Sequence, residues 1–77
     1  MLENRGLILL RMGRLDEAIG QFDGALKAQP KAAWALYGRG VAKLKKGAKA
    51  DGEADMAAAV AMRPGVAAEA KRLGLGS

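Results

Sequence analysis

Gly13-Arg14-Leu15-Asp16-Glu17-Ala18-Ile19-Gly20-Gln21-Phe22-Asp23-Gly24-Ala25-Leu26-Lys27-Ala28-Gln29-Pro30 decides the fold of this chain. Within it Ala18, Phe22, Ala25 and Leu26 fall at i, i+4, i+7 and i+8, the spacing that gathers apolar side chains on one face of an α-helix. Asp16 and Glu17 stand where the helix dipole favours negative charge, and Gly13 reads as the turn before them. Pro30 marks the far boundary, since proline ends one helix and suits the first turn of the next. The stretch predicts a helix over 15–28.

Moving outward, the same punctuation returns at a fixed distance. Gly6, Gly40 and Gly74 are spaced by 34 residues, as are Gly13 and Gly47, and Pro30 and Pro64. Apolar positions follow the same shift: Leu10 and Leu44, Phe22 and Met56, Ala25 and Ala59, Leu26 and Val60. A period of this length is the mark of stacked helical hairpins, each too small to bury its apolar face alone. The spacing predicts an all-α chain with helices over about 1–12, 15–28, 31–46, 49–62 and 66–74. The chain then reads as one domain, with a first unit over 1–30 that lacks its opening residues, a second over 31–64, and a closing helix and tail over 65–77.

Composition agrees. Of 77 residues, 51% are apolar, yet most of these are Ala and Leu, with one Phe, one Tyr and one Trp, which favours helix over strand. With no Cys and no His, neither disulfides nor thiolate or imidazole metal ligation can support so small a core. The same absence removes the usual nucleophiles and proton shuttles; Ser77 is the only serine, and no threonine occurs. No enzyme activity and no cofactor are expected. The glycines follow the repeat and form no phosphate-cradling loop. No apolar run reaches the roughly 18 to 20 residues that span a bilayer, and Met1-Leu2-Glu3-Asn4 lacks the charged-then-apolar order of a signal peptide. The sequence reads as that of a soluble chain and gives no compartment.

These residues resemble the tetratricopeptide repeat, a helix-turn-helix unit of 34 residues, over nearly the whole chain. In the first unit Leu2, Gly6, Leu9, Ala18, Phe22, Ala25 and Pro30 match its signature places; in the second the places hold Leu36, Gly40, Lys43, Gly52, Met56, Ala59 and Pro64. The segment from Gly13 to Ile19 is especially similar to the family's turn into its second helix. Lys43 departs from a usual aromatic or large apolar residue, Gly52 from alanine, and Arg5 and Arg39 from a position often leucine, so the second unit is expected to pack more loosely than the first. Gly6, Ala18, Gly40 and Gly52 are expected at close helix crossings, with Leu2, Leu9, Phe22, Leu26, Leu36 and Met56 around them as the core.

The resemblance implies protein binding on a concave face lined by the first helix of each unit. Carried over by position, that face would hold Glu3, Leu7, Leu10 and Arg11, then Trp34, Tyr37, Val41, Leu44 and Lys45, then Ala68 and Lys71. Trp34 and Tyr37 are the anchor candidates, because large amphipathic rings dominate binding hot spots; the competing reading packs both rings between the second hairpin and the closing helix. A carboxylate clamp for acidic C-terminal peptides is rejected, since Glu3, Leu7, Gly38, Ala68 and Arg72 leave only one basic match. The expected partner is a protein or peptide.

The rival expectation is assembly through the first helix. Leu7, Ile8, Leu9 and Leu10 are consecutive and cover about 300° of a helix circumference, so part of that surface, Leu7 and Ile8 foremost, should face outward. Such a face suits the closing end of a longer bacterial-type array or a self-associating chain. A third feature is a basic stripe, Arg39, Lys43 and Lys46 at i, i+4 and i+7, with Lys45 and Lys49 nearby. With a formal charge of +5 it could meet an acidic surface, or it is a solvated helix face. Without interleaved aromatics, nucleic acid is not an expected partner. Gly20 and Gly24 interrupt the second helix, either for close approach of another helix or on open surface.

Overall fold

In the computed structural model, residues 5–72 are described, and they form five helices: α1 (Arg5–Arg11), α2 (Leu15–Ala28), α3 (Ala33–Lys46), α4 (Lys49–Met62) and α5 (Val66–Arg72). The expected bounds of α2 and α4 are met residue for residue. Leu2, Glu3, the first residues of the first helix, the end of the closing helix at 73–74 and the tail 75–77 lie outside the described residues.

The α1–α2 and α3–α4 turns are built alike. Gly13 and Gly47 have φ of +80° and +98°, a conformation only glycine adopts without strain. In each turn the glycine N–H donates to the carbonyl three residues back, Leu10 or Leu44, and the next residue's N–H, Arg14 or Ala48, donates to Leu9 or Lys43. The 34-residue period therefore extends to the backbone hydrogen bonds. The other two connections are proline turns: Ala32 N–H donates to the Gln29 carbonyl around Pro30, and Val66 N–H to the Arg63 carbonyl around Pro64. Pro30 thus occupies a turn, with its fixed φ suited to the second turn position, and α3 begins at Ala33 instead of 31.

One core runs through all five helices. Phe22 lies at its centre, 1% exposed, with Leu7 and Leu10 from α1, Ala18 from α2, Leu36, Tyr37, Val41 and Ala42 from α3, Ala59 from α4, and Val66 and Ala70 from α5. Of the expected core residues, Leu36 is buried, while Leu9, Leu26 and Met56 are half-buried against that core. The Phe22 ring fits a slot whose walls are two glycines. A Cβ at Gly6 would come within 2.6 Å of the ring, and one at Gly38 within 2.5 Å.

At the second crossing, backbone meets backbone. A Cβ at Gly40 would lie 2.7 Å from the Gly52 carbonyl oxygen, and one at Gly52 would lie 2.7 Å from that of Gly40. Gly52 is thus the small residue expected at a close crossing and does not loosen the second unit. The absent methyl groups bring α3 and α4 into the most extensive contact among the described helices.

Gly20 and Gly24 show the opposite environment, with nothing within 4 Å of an added Cβ and no positive φ. They gain nothing from lacking a side chain and cost helix propensity. Gly20→Ala and Gly24→Ala are each expected to raise stability by about 0.5 to 1 kcal/mol, read as a higher urea midpoint with an unchanged slope. A fall in either midpoint would mean that a neighbour occupies that surface.

Candidate functional site

The basic stripe is an internal brace. Arg39 donates from Nε to Asp55 at 2.8 Å and from Nη1 to Asp23 at 2.8 Å, so one guanidinium ties α3 to both α2 and α4. Lys43 adds a second cation on Asp55 at 3.0 Å, and Lys46 pairs with Asp16. All three stripe cations are neutralised within the chain, which is neither of the outcomes the sequence suggested. The signal was available: Asp23 and Asp55 stand 16 residues before and after Arg39, on the two helices that flank it.

Burial is the largest influence on Asp55 and would raise its pKa. The hydrogen bonds from Arg39 and Lys43, with their charges, outweigh it and hold the carboxyl below its ordinary value of 3.8. A depressed folded-state pKa gives stability that is fully present above the unfolded value and is lost as pH falls through the folded one. The stability advantage of wild type over Asp55→Asn is therefore expected to be constant near neutrality and to shrink below about pH 4. Urea midpoints at a series of pH values measure it; an advantage independent of pH would refute the brace.

The residues expected on a concave face divide by burial. Leu7, Leu10, Tyr37 and Val41 are buried in the core. Leu44 and Trp34 are half-buried, and Arg11, Lys45, Ala68 and Lys71 are exposed. What this set offers to solvent is thus mostly cationic, over an apolar floor that is already closed. Lys45 and Lys71 form no ion pair among the described residues.

Trp34 sits at the α2–α3 junction with its ring centroid 6.3 Å from that of Phe22 at an interplanar angle of 70°, an edge-to-face pair. It therefore packs on the first unit. Its remaining surface lines an open cleft of about 750 Å³ with Pro30, Lys31, Met62 and Arg63. Tyr37, at 9% exposure, has little surface left for a partner. Packing of both rings was the competing reading of the sequence, and the neighbour of Trp34 that this reading missed is Phe22 on α2.

The first helix presents a second surface. Leu7 is buried at 8%, so it belongs to the core; Ile8 is 57% exposed. Met12, one turn on, is 59% exposed and adjoins it. Met12 escaped the sequence reading, although it lies at i+4 from Ile8 and its N–H donates to the Ile8 carbonyl. Gly20 and Gly24 are the open-surface alternative. Among the described residues no group of three acidic residues could hold a metal ion, and no helix is long and apolar enough to cross a membrane.

Searches against curated proteins and against solved structures find no match. The described helical pairs, the two identical glycine turns and the shared 34-residue period coincide with a match to the family described as Tetratricopeptide repeat over residues 4–67, most of the chain. The chain belongs to the tetratricopeptide repeat family.

Proposed function

We propose that this chain binds an acidic segment of another protein across the exposed cations Arg11, Lys45 and Lys71. Tetratricopeptide repeats generally mediate protein–protein interactions and are typically non-enzymatic scaffolds. The observation that carries the finer reading is how charge is distributed. Asp16, Glu17, Asp23, Asp55 and Glu69 are engaged in ion pairs within the chain, which leaves Asp51 and Glu53 as the exposed acids without one among the described residues, whereas Lys45 and Lys71 stand exposed with no such pair. The net charge of +5 is thus expressed at the surface. Half-buried Leu44 supplies an apolar contact beside Lys45, and Trp34 a second at the α2–α3 junction.

The test is fluorescence anisotropy of Glu-rich and Gln-rich peptides of matched length with the intact chain and with a Lys45→Glu, Lys71→Glu double variant. The intact chain is expected to prefer the Glu-rich set by tenfold or more, about 1.4 kcal/mol, with affinity that falls as salt rises. The double variant should lose the preference while keeping its melting temperature. Equal binding of both peptide sets would remove this reading.

A second reading is favoured by one specific observation, the exposure of Ile8 and Met12: α1 is a docking face for another helix. Ile8→Lys should reduce binding of an apolar dye and leave stability nearly unchanged, because surface substitutions usually fall within about 0.5 kcal/mol. Dye binding that does not respond would argue against an accessible apolar face on α1.

A further inference from the structure

On α3, Arg39, Ala42 and Lys46 lie at i, i+3 and i+7, one stripe along the helix. Arg39 reaches Asp23 and Lys46 reaches Asp16, both on α2, so the stripe faces α2 with Ala42 midway and 0% exposed. Asp16 and Asp23 fix the α2 side of this contact, running antiparallel, and half-buried Ile19 lies between them on the same stripe by helical spacing. A shift of 34 residues carries Arg39, Ala42 and Lys46 onto Arg5, Ile8 and Met12. In the first unit this same stripe is exposed, and Arg5 forms no ion pair among the described residues. The molecule therefore contains both the covered and the uncovered form of one face.

Resting on the second reading above, we propose that the Arg5–Ile8–Met12 stripe docks an antiparallel helix from another protein unit. This helix carries a carboxylate opposite Arg5, a small residue four positions before it opposite Ile8, and an apolar residue seven positions before it opposite Met12. Each element follows from the internal template. Arg5 needs the acid that Asp23 gives Arg39. Ile8 replaces an alanine, so its partner must be smaller than Ile19 if the summed volume is to be kept. Met12 replaces a lysine, so an apolar side chain takes the place of Asp16. A second copy of this chain does not fit: in α4 the positions equivalent to Asp16, Ile19 and Asp23 are Ala50, Glu53 and Ala57, with no acid for Arg5 and a charge where the small residue belongs.

The 34-residue register supplies the experiment. A copy of residues 15–34 placed directly before Met1 puts an α2-type helix in register over α1, since residues 35 and 1 are equivalent. In that copy, Asp16→Leu and Ile19→Ala give the matched partner. The matched extension is expected to raise Tm by at least about 4 °C and to suppress apolar-dye binding. Adding Asp23→Lys to the copied helix should lose most of the gain, and Arg5→Glu in the body of the chain should then restore it.

Equal gains from the matched and Asp23→Lys extensions would overturn the proposed partner chemistry while leaving α1 as a docking face. If no extension changed Tm or dye binding, and Ile8→Lys left dye binding untouched, the docking face itself would be lost. Concentration-dependent association of the unextended chain, abolished by Ile8→Lys, would make a second copy the occupant and overturn the foreign helix.

Discussion

Phe22→Ala is expected to cost about 3 to 5 kcal/mol, as much as a single core of this size supplies in total, and so to leave the chain largely unfolded at room temperature. The cost arises from a fully buried ring whose surroundings cannot collapse. Gly6 and Gly38 wall the slot from two different helices, and neither has a side chain that could swing into the void. Trp34 would also lose the ring edge it packs against. Circular dichroism during urea titration measures the effect; a midpoint close to wild type would remove Phe22 from the centre of the core. Phe22→Leu should retain part of the stability by keeping most of the apolar volume. Gly38→Ala should be damaging in the wild-type background, because its added carbon would lie 2.5 Å from Cζ of a ring that is itself fully buried.

Gly40→Val is the second large effect. Its first added carbon would lie 2.7 Å from the Gly52 carbonyl oxygen and 2.6 Å from Met56 Cγ. Met56 could bend away, but the carbonyl belongs to the helix backbone, so α3 and α4 would have to part along their main contact. The expected cost is at or above the about 1 to 3 kcal/mol of ordinary overpacking, and it outweighs the roughly 0.5 kcal/mol that a helix gains on losing an internal glycine. Gly20→Val on the open face of α2 provides the matched control and should be near neutral. Equal effects at the two glycines would mean that helix propensity, and not the crossing, governs the site.

The sequence showed the helices because their information is local and repeated. Apolar spacing along 15–28 and 49–62 located α2 and α4 fully, and Gly13 and Gly47 marked the turns. It placed α3 two residues early, because Pro30 is compatible with both a helix start and a turn, and only the hydrogen bond from Ala32 to Gln29 decides between them. Contacts between distant helices were harder to see. Arg39 looked like surplus surface charge because its acids lie on two other helices. Gly38 looked like an unmatched groove position, although it walls the Phe22 slot. The candidate surface was half legible: the family resemblance put Tyr37 and Val41 together on one face of α3, but whether that face stays open depends on how close α1 and α5 lie, which no single helix encodes.

The position of α3 also bears on how the molecule comes apart. Among the described elements it is the only helix in contact with all four others, whereas α1 touches α2 and α3 alone. Unfolding therefore need not be uniform. Amides in the middle of α3 should exchange with deuterium only through loss of the whole structure, while those of α1 should exchange through a cheaper opening that leaves the other four helices in place. If so, the chain spends a measurable fraction of time with α1 detached. A helix captured by α1 would close that opening and shift slow exchange toward the N-terminal end, turning the weakest part of the fold into the reporter of its occupancy.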